Sequence, residues 1–289
     1  MSAESPKRIK NISDTARWVA RYRAIESARP DALFKDPFAA ILAGKHGEDI
    51  VNNLSFGKEG AWWLIIRTKV LDDFINRLVA EAKIDSVLNL AAGLDSRPFR
   101  MNLPLDFKWF EVDLPEILEY KAECLKDQKS RCALTRHVCD LSDATARRTL
   151  LSAISSQTKS CLVITEGLLI YLEEQLVAEI ATDLTQMASA RFWLLDFASS
   201  GGLRLAQKRW NKELSAGNSA LKFAPPGGVT YFERFGWKIN DLKWSIIEAR
   251  RFKRQMPRAW LFNIMFRITS AKRRKRIIES GGYLLLNRV

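Results

Sequence analysis

Two hydrophobic rhythms alternate along this chain. Residues 59–81 (EGAWWLIIRTKVLDDFINRLVAE) repeat apolar positions at helical spacing and predict a long helix. The next segment, DSVLNLAAG (85–93), places Val87, Leu88 and Leu90 in a short apolar run that ends in small residues, as a buried strand does. Runs of similar length follow at FKWFEVD (107–113), ALTRHVCD (133–140), SCLVITEG (160–167), RFWLLDFAS (191–199) and YLLLNRV (283–289). Between the fourth and fifth runs, Leu172, Leu176, Ile180, Leu184 and Met187 form the stripe of an amphipathic helix. Gly and Pro are sparse except at PPGG (225–228), and no internal repeat interrupts the order. Strands alternating with helices predict an α/β fold with a mostly parallel sheet, built as a single domain over 1–289.

At 289 residues and 47% hydrophobic content the chain can fill a sizeable core, which excludes disorder as its overall state. The N-terminal stretch MSAESPKRIKNISD has no apolar run, and no stretch of about 18 apolar residues occurs, so a cytoplasmic protein is expected. Cys124, Cys132, Cys139 and Cys161 match no paired metal-ligand spacing and read as reduced thiols. With only His46 and His137, in an early polar loop and a predicted strand, zinc hydrolysis and a Ser/His/Asp triad are poorly supported. The net charge of +13 is concentrated: Arg250 to Arg276 contains eleven Lys or Arg and no acid. Outside that window 35 bases nearly balance 33 acids, so the chain as a whole does not read as a nucleic-acid binder.

Mostly parallel sheets bind ligands at the carboxyl ends of their strands. Here those ends carry AAGLD (91–95), EVDLP (111–115), CDLSD (139–143) and TEG (165–167), a small-residue turn followed by three acids. Acids on adjacent tips suit a nucleoside, whereas a bare phosphate would want Lys, Arg or a glycine-rich nest. The turn Ala91-Ala92-Gly93 allows close approach of backbone to ligand, and equally serves as a tight strand-to-helix turn. Asp113, 20 residues after Gly93, stands where an acid bonds ribose hydroxyls, with a solvated loop aspartate as the alternative. Asp140 with Leu141 would suit an adenine ring, or Asp140 could be a helix N-cap. Arg67 lies within about 40° of Trp63, Leu71, Phe74 and Leu78 on its helix, so it projects from an apolar face. Such a charge needs either a core carboxylate or a ligand carboxylate.

Adenine, ribose and a carboxylate together describe S-adenosylmethionine better than a dinucleotide, and the turn has Ala91, Gly93 and Ser96 where GxGxxG would place glycines. The chain resembles the leucine carboxyl methyltransferase type of S-adenosylmethionine-dependent O-methyltransferases, whose bacterial branch includes polyketide-tailoring enzymes. The similar segments are TARWVARYRAIESARPDALFKDPFA (15–39), RTKVLDDF (67–74), VLNLAAGLDSRPFR (87–100), FEVDLPEILEYK (110–121), CDL (139–141), TEGLLIYL (165–172) and ERFGWKI (233–239). They occur in the family's order over most of the chain up to about residue 240. The resemblance implies a Rossmann-like methyltransferase fold with helices on both sheet faces and an antiparallel last strand. It implies that Arg67, aided by Arg23, holds the methionine carboxylate, Gly93 lines the methionine part, and Asp113 takes the ribose diol. Asp140 and Leu141 would take the adenine, and Glu166 would lie near the cofactor's amino group. Ala91 departs from the family's usual first glycine, and its methyl group bears on cofactor affinity.

Methyl transfer to oxygen is an in-line displacement that chiefly needs alignment. A carboxylate acceptor is already ionised and needs no base, so the scarcity of histidines tilts the expectation toward a carboxyl acceptor over a phenol or alcohol. Segments 11–58 and 200–232, the latter with Trp210, are the expected lids and substrate walls, and Tyr171 could reach an acceptor. The basic helical segment 245–280 is open to several readings: an interfacial helix on an anionic membrane, a site for an acidic substrate or carrier protein, or a packing helix with a solvated end. RNA is disfavoured because its stacking motifs are absent. A nicotinamide-dependent dehydrogenase and a non-catalytic cofactor-binding or membrane-surface protein stand as alternatives to the methyltransferase.

Overall fold

The computed structural model describes residues 12–53, 61–214, 220–256 and 259–288. Seven strands form one sheet in the order β3-β2-β1-β4-β5-β7-β6. They are β1 (Ser86–Leu90), β2 (Lys108–Asp113), β3 (Ala133–Val138), β4 (Cys161–Thr165), β5 (Ala190–Ala198), β6 (Trp237–Trp244) and β7 (Gly281–Arg288). The first five are parallel, and β7 runs antiparallel between β5 and β6. This is the expected mostly parallel, Rossmann-like sheet, with the reversed strand near one edge.

Successive side chains of a strand point to opposite faces, and here both faces are covered. Leu88, Leu90, Val163 and Trp193 pack with Ile180 and Leu184 of α7 (Glu174–Gln186). Val87, Leu162, Ile164 and Leu194 pack with Ile66, Val70, Phe74 and Leu78 of α3 (Ala61–Ala80). Two buried faces explain why these strands read as apolar runs with no alternation. Each such fully buried side chain contributes about 1.5–3 kcal/mol.

On the edge-side half, α5 (Pro115–Cys124) is pinned to β2 by Lys121, whose Nζ donates to Glu111 Oε1 at 2.6 Å with both side chains fully buried. The N-terminal helices α1 (Ile12–Ser27) and α2 (Ala39–Asn53) lie across the carboxyl end of the sheet, α1 packing on both α2 and α3. His46 therefore sits in a helix, not in a polar loop, and its Nε2 lies 2.7 Å from Asp14 Oδ1. Short helices α4 (Arg97–Arg100) and α6 (Ala144–Ser155) follow β1 and β3, and α8 (Ser200–Leu214) follows β5.

Two elements differ from their apolar pattern. The stripe beginning at Leu172 gives a helix only from Glu174, because Leu172 is extended and Leu169–Tyr171 form a separate 3-10 turn. The edge strand β6 escapes the periodicity because its register shifts between Ile239 and Asp241, which breaks the period-two alternation of WKINDLKW. Segment 245–280 is helical, as α9 (Ser245–Arg251), α10 (Ala259–Ile268) and α11 (Ala271–Ile278). No helix among the described residues is long and apolar enough to cross a membrane. The four cysteines are free.

Candidate active site

A cavity of about 270 Å³ opens where β1, β2 and β4 end and is roofed by α1 and α3. Its floor is the β1 turn, whose backbone is left-handed at both Ala91 (φ 53°) and Gly93 (φ 52°). That conformation aims the turn at the cavity and ends the strand at Leu90. Glycine adopts it freely, while alanine pays roughly 1–2 kcal/mol. The Gly93 N–H donates to Asp113 Oδ2 at 2.6 Å, and the Leu114 N–H donates to Oδ1 at 2.8 Å. Burial pushes the Asp113 carboxyl above the ordinary range despite these two bonds.

Opposite this floor stands a buried lattice of guanidinium and carboxylate groups. Arg67 Nε donates to Glu166 Oε1 at 2.9 Å and its Nη1 to Asp196 Oδ2 at 3.3 Å. Arg97 joins three acids: Nε donates to Asp72 Oδ1 (2.7 Å), and Nη1 to Asp95 Oδ2 (2.9 Å) and Glu166 Oε2 (2.7 Å). Arg23 Nε donates to Asp36 Oδ2 at 2.8 Å, and that same oxygen accepts from Ser96 Oγ at 2.6 Å. Burial opposes ionisation of Asp95, but the charges of Arg97, Lys121 and Arg100 with the Arg97 N–H together outweigh it and hold the carboxyl at about 2. Burial likewise opposes the Glu166 charge, and the facing Arg97 and Arg67 keep its pKa below the usual value. Charges this deep persist only because each is paired several times over. Their function is positional, fixing Arg67 and Glu166 at the cavity wall.

The remaining wall is apolar and aromatic: Trp18, Val19, Trp63, Leu64, Tyr171 and Leu172. Burial raises the Tyr171 phenol to about 12, so it stays protonated. No His, Lys or Cys is among the described residues of the wall.

Of the residues expected at the site, Arg23, Arg67, Ala91, Gly93, Asp113, Glu166 and Tyr171 all line this cavity. Arg67 is paired with core carboxylates, as one of its two readings expects, and it also lines the cavity. Asp140 and Leu141 are not among the residues that line the cavity. Asp140 closes a local turn by accepting from Ser142 N and Oγ, and Leu141 is buried in the core with its carbonyl bonded to Arg147. Nor is Asp140 the helix cap, a place taken by Asp143, which accepts from the Thr145 and Ala146 N–H groups. The Trp210 side chain lies outside the described residues. No described residue of 200–232 lines the cavity; Leu203 and Leu221 pack one layer behind it, against Trp18, Trp63 and Tyr171. His46 and His137 are both away from the cavity.

Arg97, Asp95, Asp72 and Asp196 were missed by sequence reasoning. A faint signal existed for Asp196, a lone acid in the apolar run RFWLLDFAS.

Residues 16–185 match the family model for leucine carboxyl methyltransferase. The chain belongs to the leucine carboxyl methyltransferase family. Every residue of the cavity wall except Thr15 falls in the matched span. A protein of Frankia alni named as a putative S-adenosyl-L-methionine-dependent methyltransferase is 33% identical over 244 residues, covering 78% of this chain and 82% of that protein. One of Mycobacterium marinum with the same name is 28% identical over 272 residues, covering 86% and 87%. The solved structure of a protein of Thermobifida fusca named as a putative methyltransferase shares the fold with a TM-score of 0.59 at 13% identity, covering 99% of this chain and 96% of that one. This member of the leucine carboxyl methyltransferase family is thus an S-adenosylmethionine-dependent methyltransferase, and the dehydrogenase alternative falls.

Proposed function

We propose that this methyltransferase methylates a carboxylate oxygen of a small-molecule acceptor. The observation that carries the reading is the composition of the cavity wall: arginines, acids and aromatics, with no His, Lys or Cys among its described residues to serve as an ordinary base. A carboxylate acceptor is already ionised and needs no such base.

The residues present fit the cofactor. Arg67 uses Nε and Nη1 on Glu166 and Asp196, and its fork has further donors for the methionine carboxylate. The ionised Glu166 suits a ligand ammonium. Asp113, already oriented by two backbone N–H groups, has lone pairs left for a ribose diol.

When bound, S-adenosylmethionine supplies an electrophilic methyl group on a cationic sulfur. Opposite charges on acceptor and sulfur are neutralised on transfer, so a dry wall favours the step. Trp18, Trp63, Leu64 and Leu172 exclude water there. Tyr171, protonated throughout the physiological range, can donate a hydrogen bond that orients the acceptor.

The test is methyl transfer from labelled cofactor to matched panels of carboxylic acids and phenols. Label released as methanol by mild alkali marks a methyl ester and supports the reading. Alkali-stable label on a phenol overturns the carboxyl assignment. Cofactor binding with no transfer to either panel overturns the carboxyl assignment and points to an acceptor of another class.

A further inference from the structure

No described residue of 245–280 lines the cavity, yet this segment carries most of the chain's excess positive charge. It is inserted between β6 and β7, and the register fixes where it emerges. Trp244, the last residue of β6, pairs with Gly282, and Gly281 pairs with Ala198 at the carboxyl end of β5. The insertion therefore leaves and re-enters the sheet at the edge where the parallel strands end, which is the edge that carries the cavity.

Two features coincide there. On α10, Trp260, Leu261, Ile264 and Ile268 are 62%, 43%, 54% and 82% exposed. At 100° per residue these four occupy an arc of about 100° running the length of the helix, so an entire apolar stripe faces solvent. On α11, five consecutive cations (Lys272, Arg273, Arg274, Lys275 and Arg276) follow the Ser270 cap. Arg274 Nη1 donates to the Arg267 carbonyl and couples the two helices.

The surface is also anchored to the body. Arg250 donates to Asn263 Oδ1 at 3.1 Å and stacks over the Phe266 ring at 4.4 Å, tying α10 to α9. Arg254 reaches Glu26 Oε1 at 3.0 Å and the Asp31 carbonyl at 2.6 Å, tying the segment to the end of α1.

We propose that α10 and α11 dock this protein on an anionic lipid bilayer, with the cavity edge of the sheet on the membrane side. An apolar stripe flanked by cations and free of acids from Arg250 to Arg276 matches an interface with anionic headgroups above hydrocarbon. A nucleic acid would engage the cations but leave Leu261, Ile264 and Ile268 in water. The docking stands whether or not the acceptor is a carboxylate.

The experiment is flotation of the full chain with vesicles of phosphatidylcholine alone and of an equimolar mixture with phosphatidylglycerol. Binding is expected to the mixed vesicles only, falling at least about tenfold on raising salt. The triple variant Lys272→Glu/Arg273→Glu/Arg276→Glu is expected to lower partitioning by about a hundredfold. Trp260→Ser/Ile264→Ser/Ile268→Ser is expected to abolish flotation as well, with melting temperature and affinity for S-adenosylhomocysteine unchanged in both variants. Absence of binding to the mixed vesicles, equal binding to both compositions, or full binding by the apolar variant overturns the proposal. So does tighter binding of an RNA oligonucleotide or of an acidic carrier protein than of the mixed vesicles.

Discussion

Gly167 and Arg67 are packed so closely that neither position is free of the other. Gly167 is left-handed (φ 64°), and a Cβ built on it would lie 2.8 Å from Arg67 Nη1. Both bond the same carboxylate, Gly167 N–H to Asp196 Oδ1 at 2.6 Å and Arg67 Nη1 to Oδ2 at 3.3 Å. Through this triangle the end of β5 sets the position of a guanidinium carried by α3.

Gly167→Ala is accordingly expected to act through Arg67. It adds roughly 1–2 kcal/mol of backbone strain and pushes Arg67 off Asp196. Calorimetric titration with S-adenosylhomocysteine should show about a tenfold or larger loss of affinity, together with a lowered melting temperature. Unchanged affinity would dissociate Gly167 from the placement of Arg67.

Arg67→Ala should weaken S-adenosylhomocysteine by at least about tenfold, since a charge-assisted bond contributes roughly 1.5–3 kcal/mol. Arg67→Lys should recover only part of that loss, because a point charge cannot serve Glu166, Asp196 and a ligand carboxylate in one plane. Equal affinities for wild type and both variants would remove Arg67 from the binding site.

Burial raises the Asp113 pKa, and a ribose diol donates to the ionised form. Ligand binding therefore opposes protonation, and affinity should be constant above the raised pKa and fall by about tenfold per pH unit below it. Glu166 and Asp95, whose pKa values are lowered, remain ionised as that fall begins. Affinity measured against pH should thus show an inflection that Asp113→Asn removes. A profile identical in the variant would assign the inflection elsewhere.

Ala91 occupies a left-handed position (φ 53°) that glycine would hold without strain. Ala91→Gly should stabilise the fold by about 1 kcal/mol, read from urea unfolding, because relief of the Cβ clash exceeds the added freedom of the unfolded chain. Cofactor affinity should stay equal or rise, and a drop would mean that the methyl group makes a productive contact.

Lys121→Ala tests the scaffold beneath Asp113. It leaves the fully buried Glu111 with only Arg136, 3.1 Å from Oε2, and should cost about 3 kcal/mol or more in urea unfolding. A loss under about 1 kcal/mol would show that water reaches Glu111 in the variant.

The sequence by itself determined the α/β order, six of the seven strands and the end of the sheet at which the cavity opens. Apolar runs and helical stripes are local patterns, and their burial requirements hold wherever the elements pack. It likewise determined that Arg67 points inward and that Asp113 ends the second strand, because helix phase and strand length carry that information. Only the tertiary structure decided which acids meet which arginines. Asp72, Asp95, Glu166 and Asp196 come from four separate parts of the chain, and their convergence on Arg67 and Arg97 depends on crossovers that no local spacing encodes. It alone decided that Asp140 turns to Ser142 and away from the cavity, since a short side chain bonds the nearest backbone N–H first. The exposure of the α10 stripe was decided in the same way: helical spacing gathers Trp260, Leu261, Ile264 and Ile268 on one face, but only the way α10 is tied to α9 through Arg250 leaves that face to solvent.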